Sequence, residues 1–154
     1  MAEIQTVEQA HDALCALFAT GEKVKLVRAT INIDADAANG DVHRLVKGLP
    51  LAAKVLAIFL PKQAQVANLT DVDFGVYRSN EGAVIDADIL IDGKDFGTAA
   101  VGVGDINSAD GYKTLGELLS LQNDEDYPGG IDVAATINAQ GAGTGTITLW
   151  ILIA

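Results

Sequence analysis

Cysteine, histidine and aromatic side chains are scarce in this chain of 154 residues, and each scarcity removes a class of function. The one cysteine, Cys15, excludes an intrachain disulfide and a multi-cysteine metal site. It falls inside a helical apolar pattern, where a buried structural thiol is expected rather than a nucleophile. His11 and His43 belong to different segments, and no Gly-x-Ser-x-Gly elbow, His-Glu-x-x-His pair or Cys-x-x-Cys pair occurs. Neither catalysis nor a cofactor is expected. Aromatic residues make up 5% of the chain, whereas carbohydrate-binding modules present several stacking rings.

Long hydrophobic runs are also missing. No unbroken apolar stretch, residues 55–60 included, approaches the length needed to cross a bilayer. The N-terminal segment is acidic and interrupted by His11 and Asp12, unlike a signal peptide. The expectation is a chain made in a cytoplasm, with no membrane partner. Positive charge is nearly absent after residue 80: residues 81–154 hold twelve acids against Lys94 and Lys113, while residues 1–80 hold nine acids and eight Lys or Arg. A net charge of −11 repels phosphate, which argues against direct nucleic-acid binding. The acidic half reads as a solvated outer face, with an electrostatic match to a basic partner as the alternative.

What the chain does have is apolar content and strand patterning. The hydrophobic fraction is 49%, much of it alanine, and the mean hydropathy of +0.27 is high for a soluble monomer. One domain that buries further surface in an oligomer reconciles the two. Residues 24–33, 42–46, 55–60, 71–78, 82–92, 130–138 and 145–153 read as strands. Asn39-Gly40, Asp92-Gly93 and the Gly-rich 140–145 stretch read as turns. Thr6-Val-Glu-Gln9 forms a capping box ahead of Val7, Ala10, Leu14, Leu17 and Phe18, which predicts a helix over 7–19. A second short helix is expected near 114–121, capped by Thr114 with Glu117 three residues on, and residues 93–111 read as a loop crossing the domain. The pattern predicts a mainly β protein: residues 1–22 as a helical segment or arm, and 23–154 as an antiparallel β-sandwich or jelly-roll-like domain.

Several polar groupings invite a chemical reading and fail it. Asp34-x-Asp36-x-x-Asn39-Gly40-Asp41 approaches a calcium loop, but the Asn-Gly pair comes one residue late and no Glu follows at the right distance. A solvated hairpin loop is the better reading. Asp71/Asp73 and Asp86/Asp88 each put two carboxylates on one strand face, which a solvent-facing strand produces by default. The Gly-rich stretches 101–104 and 141–145 lack the strand-to-helix context that phosphate binding needs.

Two features point to association. Residues 42–62 carry Arg44, Lys47, Lys54 and Lys62 with no acid, either as solubilising charge around apolar strands or as a surface for an acidic neighbour. Residues 55–60 and 149–153 are apolar on both strand faces, which predicts a central, doubly covered strand for the first and an added cover for the second. The candidate interface set is therefore Arg44, Lys47 and Lys54 with Leu56, Ile58, Trp150 and Leu152.

Six segments in series carry a resemblance. They are Arg44-Leu-Val-Lys-Gly-Leu-Pro50, Asp71-Val-Asp-Phe-Gly-Val-Tyr-Arg78, Gly82-Ala-Val-Ile-Asp-Ala-Asp-Ile-Leu90, Thr114-Leu-Gly-Glu-Leu-Leu119, Tyr127-Pro-Gly-Gly-Ile-Asp-Val-Ala-Ala-Thr136 and Gly145-Thr-Ile-Thr-Leu149. The series, over about residues 24–154, resembles small β-sheet virion proteins of tailed bacteriophages that act as capsid decoration (cement) proteins. The resemblance implies a non-enzymatic homotrimer on the outer capsid surface, seated on the major capsid protein and stabilising the head. The alternatives are a head-fibre base, a tail-associated adaptor, or a receptor- or glycan-binding module.

Overall fold

A computed structural model describes residues 24–34, 36–60, 64–80, 82–97, 113–139, 141 and 143–154. Within them, seven strands form two antiparallel sheets. The first sheet holds β1 (Lys25–Ile33), β7 (Gly145–Ile153) and β3 (Val55–Phe59) in the order β1-β7-β3. The second holds β2 (Val42–Leu49), β6 (Ile131–Ala139), β4 (Asp71–Arg78) and β5 (Val84–Lys94) in the order β2-β6-β4-β5. Ile31, Ile147, Leu149 and Ile151 from the first sheet and Val72, Phe74, Val76, Val133 and Ile137 from the second belong to one buried core. This is the expected β-sandwich. Phe96, just beyond β5, joins the core with its ring 6.5 Å from that of Phe74.

Period-two alternation survives wherever a strand has a regular partner. β4 and β7 occupy the expected residues, and β7 pairs with β1 without interruption from Gly145 to Ile153. Three expectations change, each at a bulge. β2, expected over 42–46, continues past Val46 to Leu49, because Gly48 at φ +71° supports a register shift. Asp92-Gly93 is not a turn but part of β5: Gly93 at φ +67° is bulged, and its N–H donates to Asp73 Oδ1 at 2.8 Å. β3 is an edge strand rather than a central one, and Phe59 is 40% exposed. Its apolarity on both faces comes from a register shift between Val55 and Ala57, which turns Val55 and Ile58 inward at a spacing of three. The helix expected over 7–19 and most of the loop expected over 93–111 lie outside the described residues.

The second short helix, α1 (Leu115–Leu119), has the expected cap: Glu117 N donates to Thr114 Oγ1 at 3.1 Å, and Thr114 N donates to Glu117 Oε2 at 2.8 Å. Buried Leu115 and the bonds from Leu115 N to Ala53 O (2.7 Å) and Gly116 N to Leu51 O (2.9 Å) fix α1 to the segment before β3. The Thr114 backbone donor holds the Glu117 carboxyl below its ordinary range, with the Thr114 hydroxyl adding to the effect. A carboxyl lowered on folding contributes stability above its unfolded value and loses it as pH falls through the folded value. Independently of that titration, Thr114→Ala removes the N-cap acceptor of Glu117 N and should cost about 1 kcal/mol in urea unfolding. The same change removes the hydroxyl and keeps the backbone donor, so the Glu117 titration, followed by NMR, should move upward only in part.

Candidate functional site

The outer face of the four-stranded sheet is closed over where exposure would be expected. Asp73, Gly75 and Tyr77 of β4 and Asp132, Ala134 and Thr136 of β6 alternate with core residues, so their side chains point away from the core. All six are nevertheless buried, Asp132 to 3% exposure. On one side β5 supplies the cover. Phe74 pairs with Ile91 and Val76 with Asp86, so β5 spends five steps where β4 spends two, and the excess arches over Gly75. The arch is close enough that a Cβ at Gly75 would lie 2.2 Å from the Ala87 backbone.

On the other side Arg44 of β2 supplies the cover. Its guanidinium lies 4.5 Å from the Tyr77 ring centroid and donates from Nη2 to Gly82 O at 2.9 Å. Arg44 Nη1 makes no hydrogen bond and faces Asp132 Oδ2 at 3.7 Å. Asp132 Oδ1 accepts from Gly48 N at 3.0 Å and from the Ser79 hydroxyl, while the Tyr77 hydroxyl hydrogen-bonds Thr136 Oγ1. The Tyr127-Pro-Gly-Gly130 turn packs alongside, with Gly129 and Gly130 both at φ +84°. A Cβ at Gly130 would meet Leu49 O at 2.7 Å, so only glycine lets this turn approach β2. Between these elements opens a cleft of about 500 Å³, lined by Arg44, Lys47, Ser79, Asn80 and Asp132 among others.

Chemically the cleft offers two cations and one carboxylate. Asp132 is engaged by a backbone donor and a hydroxyl and faces a guanidinium, so its carboxylate ties the β2 bulge, Ser79 and Arg44 together. Lys47 is exposed at the rim. Of the candidate interface residues, Arg44 and Lys47 are thus brought together here. Lys54 is elsewhere, extending the first sheet through the reciprocal Lys54 N to Ala154 O (2.8 Å) and Ala154 N to Lys54 O (3.0 Å) bonds. Trp150 and Leu152 lie on the outer face of the first sheet beside half-buried Leu56, and the Arg28 guanidinium stands 5.9 Å from the Trp150 ring. Ile58 is wholly buried in the core, so this residue of the candidate set presents no surface. Asp132, Tyr77, Ser79 and Thr136 were not singled out by sequence, where Asp132 is one acid among many on an outward strand position.

No family model matches the chain, and no curated protein matches it. Among solved structures, a chain of the cyanophage Pam1 capsid asymmetric unit is similar in fold. The TM-score is 0.54 at 13% sequence identity, over 87% of this chain and 86% of that chain. The likeness runs through nearly the whole of both chains, and at this identity it speaks for the fold.

The acidic groupings have structural partners. Asp34 Oδ1 accepts from Asp36 N at 3.0 Å and Asp41 Oδ2 from Ala38 N at 2.8 Å, so both carboxylates close turns of their own loop. Asp73 serves the Gly93 bulge and Asn138 Nδ2. Burial, and then the Asp88 side chain, push the Asp86 carboxyl upward. Among the described residues no three His, Cys, Asp or Glu are grouped to hold a metal ion. EDTA should leave the melting temperature unchanged, and a fall of about 10 °C would indicate a bound ion worth several kcal/mol to the native state.

Proposed function

We propose that this chain is a non-catalytic structural subunit of a tailed-phage virion, a decoration protein bound as homotrimers to the outer surface of the major capsid protein shell. The observation that carries this reading is the fold likeness to a chain of a phage capsid asymmetric unit over most of both chains. It agrees in direction with the serial resemblance of residues 24–154 to decoration proteins. The sealed outer face of the four-stranded sheet supports a rigid cementing role, because a doubly covered sheet resists deformation under load.

Shells assembled from the major capsid protein of the same phage, mixed with this chain and imaged by cryo-electron microscopy, test the proposal. Copies at every three-fold and local three-fold position are expected. Binding confined to a few positions would favour a fibre base or tail adaptor, and absence of binding would remove the capsid reading. Sedimentation of the bound material released from shells should give trimers.

Lys47 is the clean probe of the basic rim. Arg44 is committed to Asp132 and Tyr77, so reversing its charge disturbs the fold as well as any docking. Lys47→Glu should lower shell occupancy severalfold at low salt and weaken its salt dependence, because rim charges act on encounter rate. Full occupancy regardless of salt would assign attachment to apolar packing.

A further inference from the structure

The two edge strands of the four-stranded sheet differ in charge. β2 carries His43, Arg44 and Lys47 and no acid, whereas β5 carries Asp86, Asp88 and Asp92 against Lys94. The opposite charges stand at the same height on the sheet. Val46 pairs with Val133, Val133 with Val76 and Val76 with Asp86, so one row runs from beside Lys47 to Asp86. In the next row Arg44 pairs with Ala134 and Ala134 with Gly75, over which the Ala87 backbone closes between Asp86 and Asp88. Four strands about 4.8 Å apart set the two edges about 14 Å from one another. That exceeds the screening length of about 8 Å in physiological salt, so within one chain the two charge groups do little for each other. Lys47 and Asp88 are both exposed, and among the described residues neither makes an ion pair.

We propose that the β2 edge of one copy receives the β5 edge of the next, with Lys47 set against Asp88 and Asp86. The two patches lie on opposite edges of one sheet, so the contact is head-to-tail, and contacts of this kind close into rings. Three copies make the ring of the homotrimer proposed above, on which this inference rests. A second copy is the occupant because the chain itself carries both halves of the match in one row of its sheet. Copies with a net charge of −11 repel one another at long range, so their approach leads with the acid-free stretch that holds β2. The acidic side gains too. Burial, and then Asp88, push the Asp86 carboxyl upward, and a cation alongside relieves that crowding of like charge. Val84, 57% exposed at the start of β5, adds an apolar side chain to the same edge. A shell protein on the β2 edge is the competing occupant.

The test uses the full-length chain in solution without shells, so its result is separate from that of the capsid reading. Sedimentation of the parent should give trimers that weaken as salt is raised. Lys47→Glu and Asp88→Lys should each weaken association about tenfold or more, and the chain carrying both, which exchanges the charges, should recover it. A carbodiimide, which takes up the water released as Lys47 Nζ and a carboxylate form an amide, gives a reading that needs no variant. It should link Lys47 to Asp88 or Asp86, and in a mixture of light and isotopically heavy chain the linked peptides should pair light with heavy. A parent that stays monomeric, or links that never pair light with heavy, would overturn the proposal. A double variant no better than its singles would overturn it as well, and would assign Lys47 to a shell protein. Shell binding by a chain that is monomeric in solution would leave the capsid reading standing and end this one.

Discussion

Asp132→Ala should lower the stability of the chain by about 3–5 kcal/mol, because it leaves a buried guanidinium without its counter-charge. Asp132 is 3% exposed, and the Arg44 Nη1 that faces it is buried even though the Arg44 side chain as a whole is 22% exposed. The substitution strands more than Arg44. Gly48 N at the β2 bulge and the Ser79 hydroxyl lose their acceptor at the same time. For a domain of this size the change corresponds to a fall in melting temperature of roughly 10–20 °C. Asp132→Asn, which keeps an acceptor but not the charge, should fall between the two. The measurement is thermal or urea unfolding, and an alanine variant melting with the parent would show that the pair only breaks even against solvent.

Gly75→Ala should be comparably damaging although it adds one methyl group. The obstacle at 2.2 Å is the Ala87 backbone rather than a side chain that can rotate aside. Overpacking typically costs about 1–3 kcal/mol, and a backbone obstacle sets this case at the upper end or beyond. Relief requires the β5 arch to lift from β4, which uncovers the outer face of the sheet. Urea unfolding should register the loss, and amide exchange should show protection falling first in residues 86–91. Unchanged stability with β5 still protected would show that the arch yields to a methyl group at Gly75 without leaving β4.

The parts of the fold legible in sequence were those whose pairing is regular. Residues 71–78 and 145–153 kept clean alternation between turn signals, and the Thr114–Glu117 box was readable because all its partners lie within four residues. Bulges were misread, because Gly48 and Gly93 carry the same positive-φ signature whether they end a strand or bend one. The edge position of β3 was hidden for a related reason: apolar residues on both faces arise from a register shift as readily as from a central strand. The site was half legible. Arg44 and Lys47 stood out as an acid-free run, but the carboxylate that engages Arg44 lies far along the chain on β6. Only the β2–β6 register, which sets Arg44 opposite Ala134, brings Asp132 within reach.

The placement of β6 and β7 bears on how the protein is made. Each is an interior strand of its sheet, β7 between β1 and β3 and β6 between β2 and β4, and both follow the other five described strands along the chain. While the ribosome is still translating residues before 131, the strands already made can form only the β4–β5 pair among the observed ladders. The others wait as open edges, which are prone to pair with neighbouring nascent chains. Assembly of both layers is thus tied to the emergence of residues 131–153, and the long sequence separations involved slow it further. Chaperone demand during synthesis should accordingly be set by the time spent before those two strands appear.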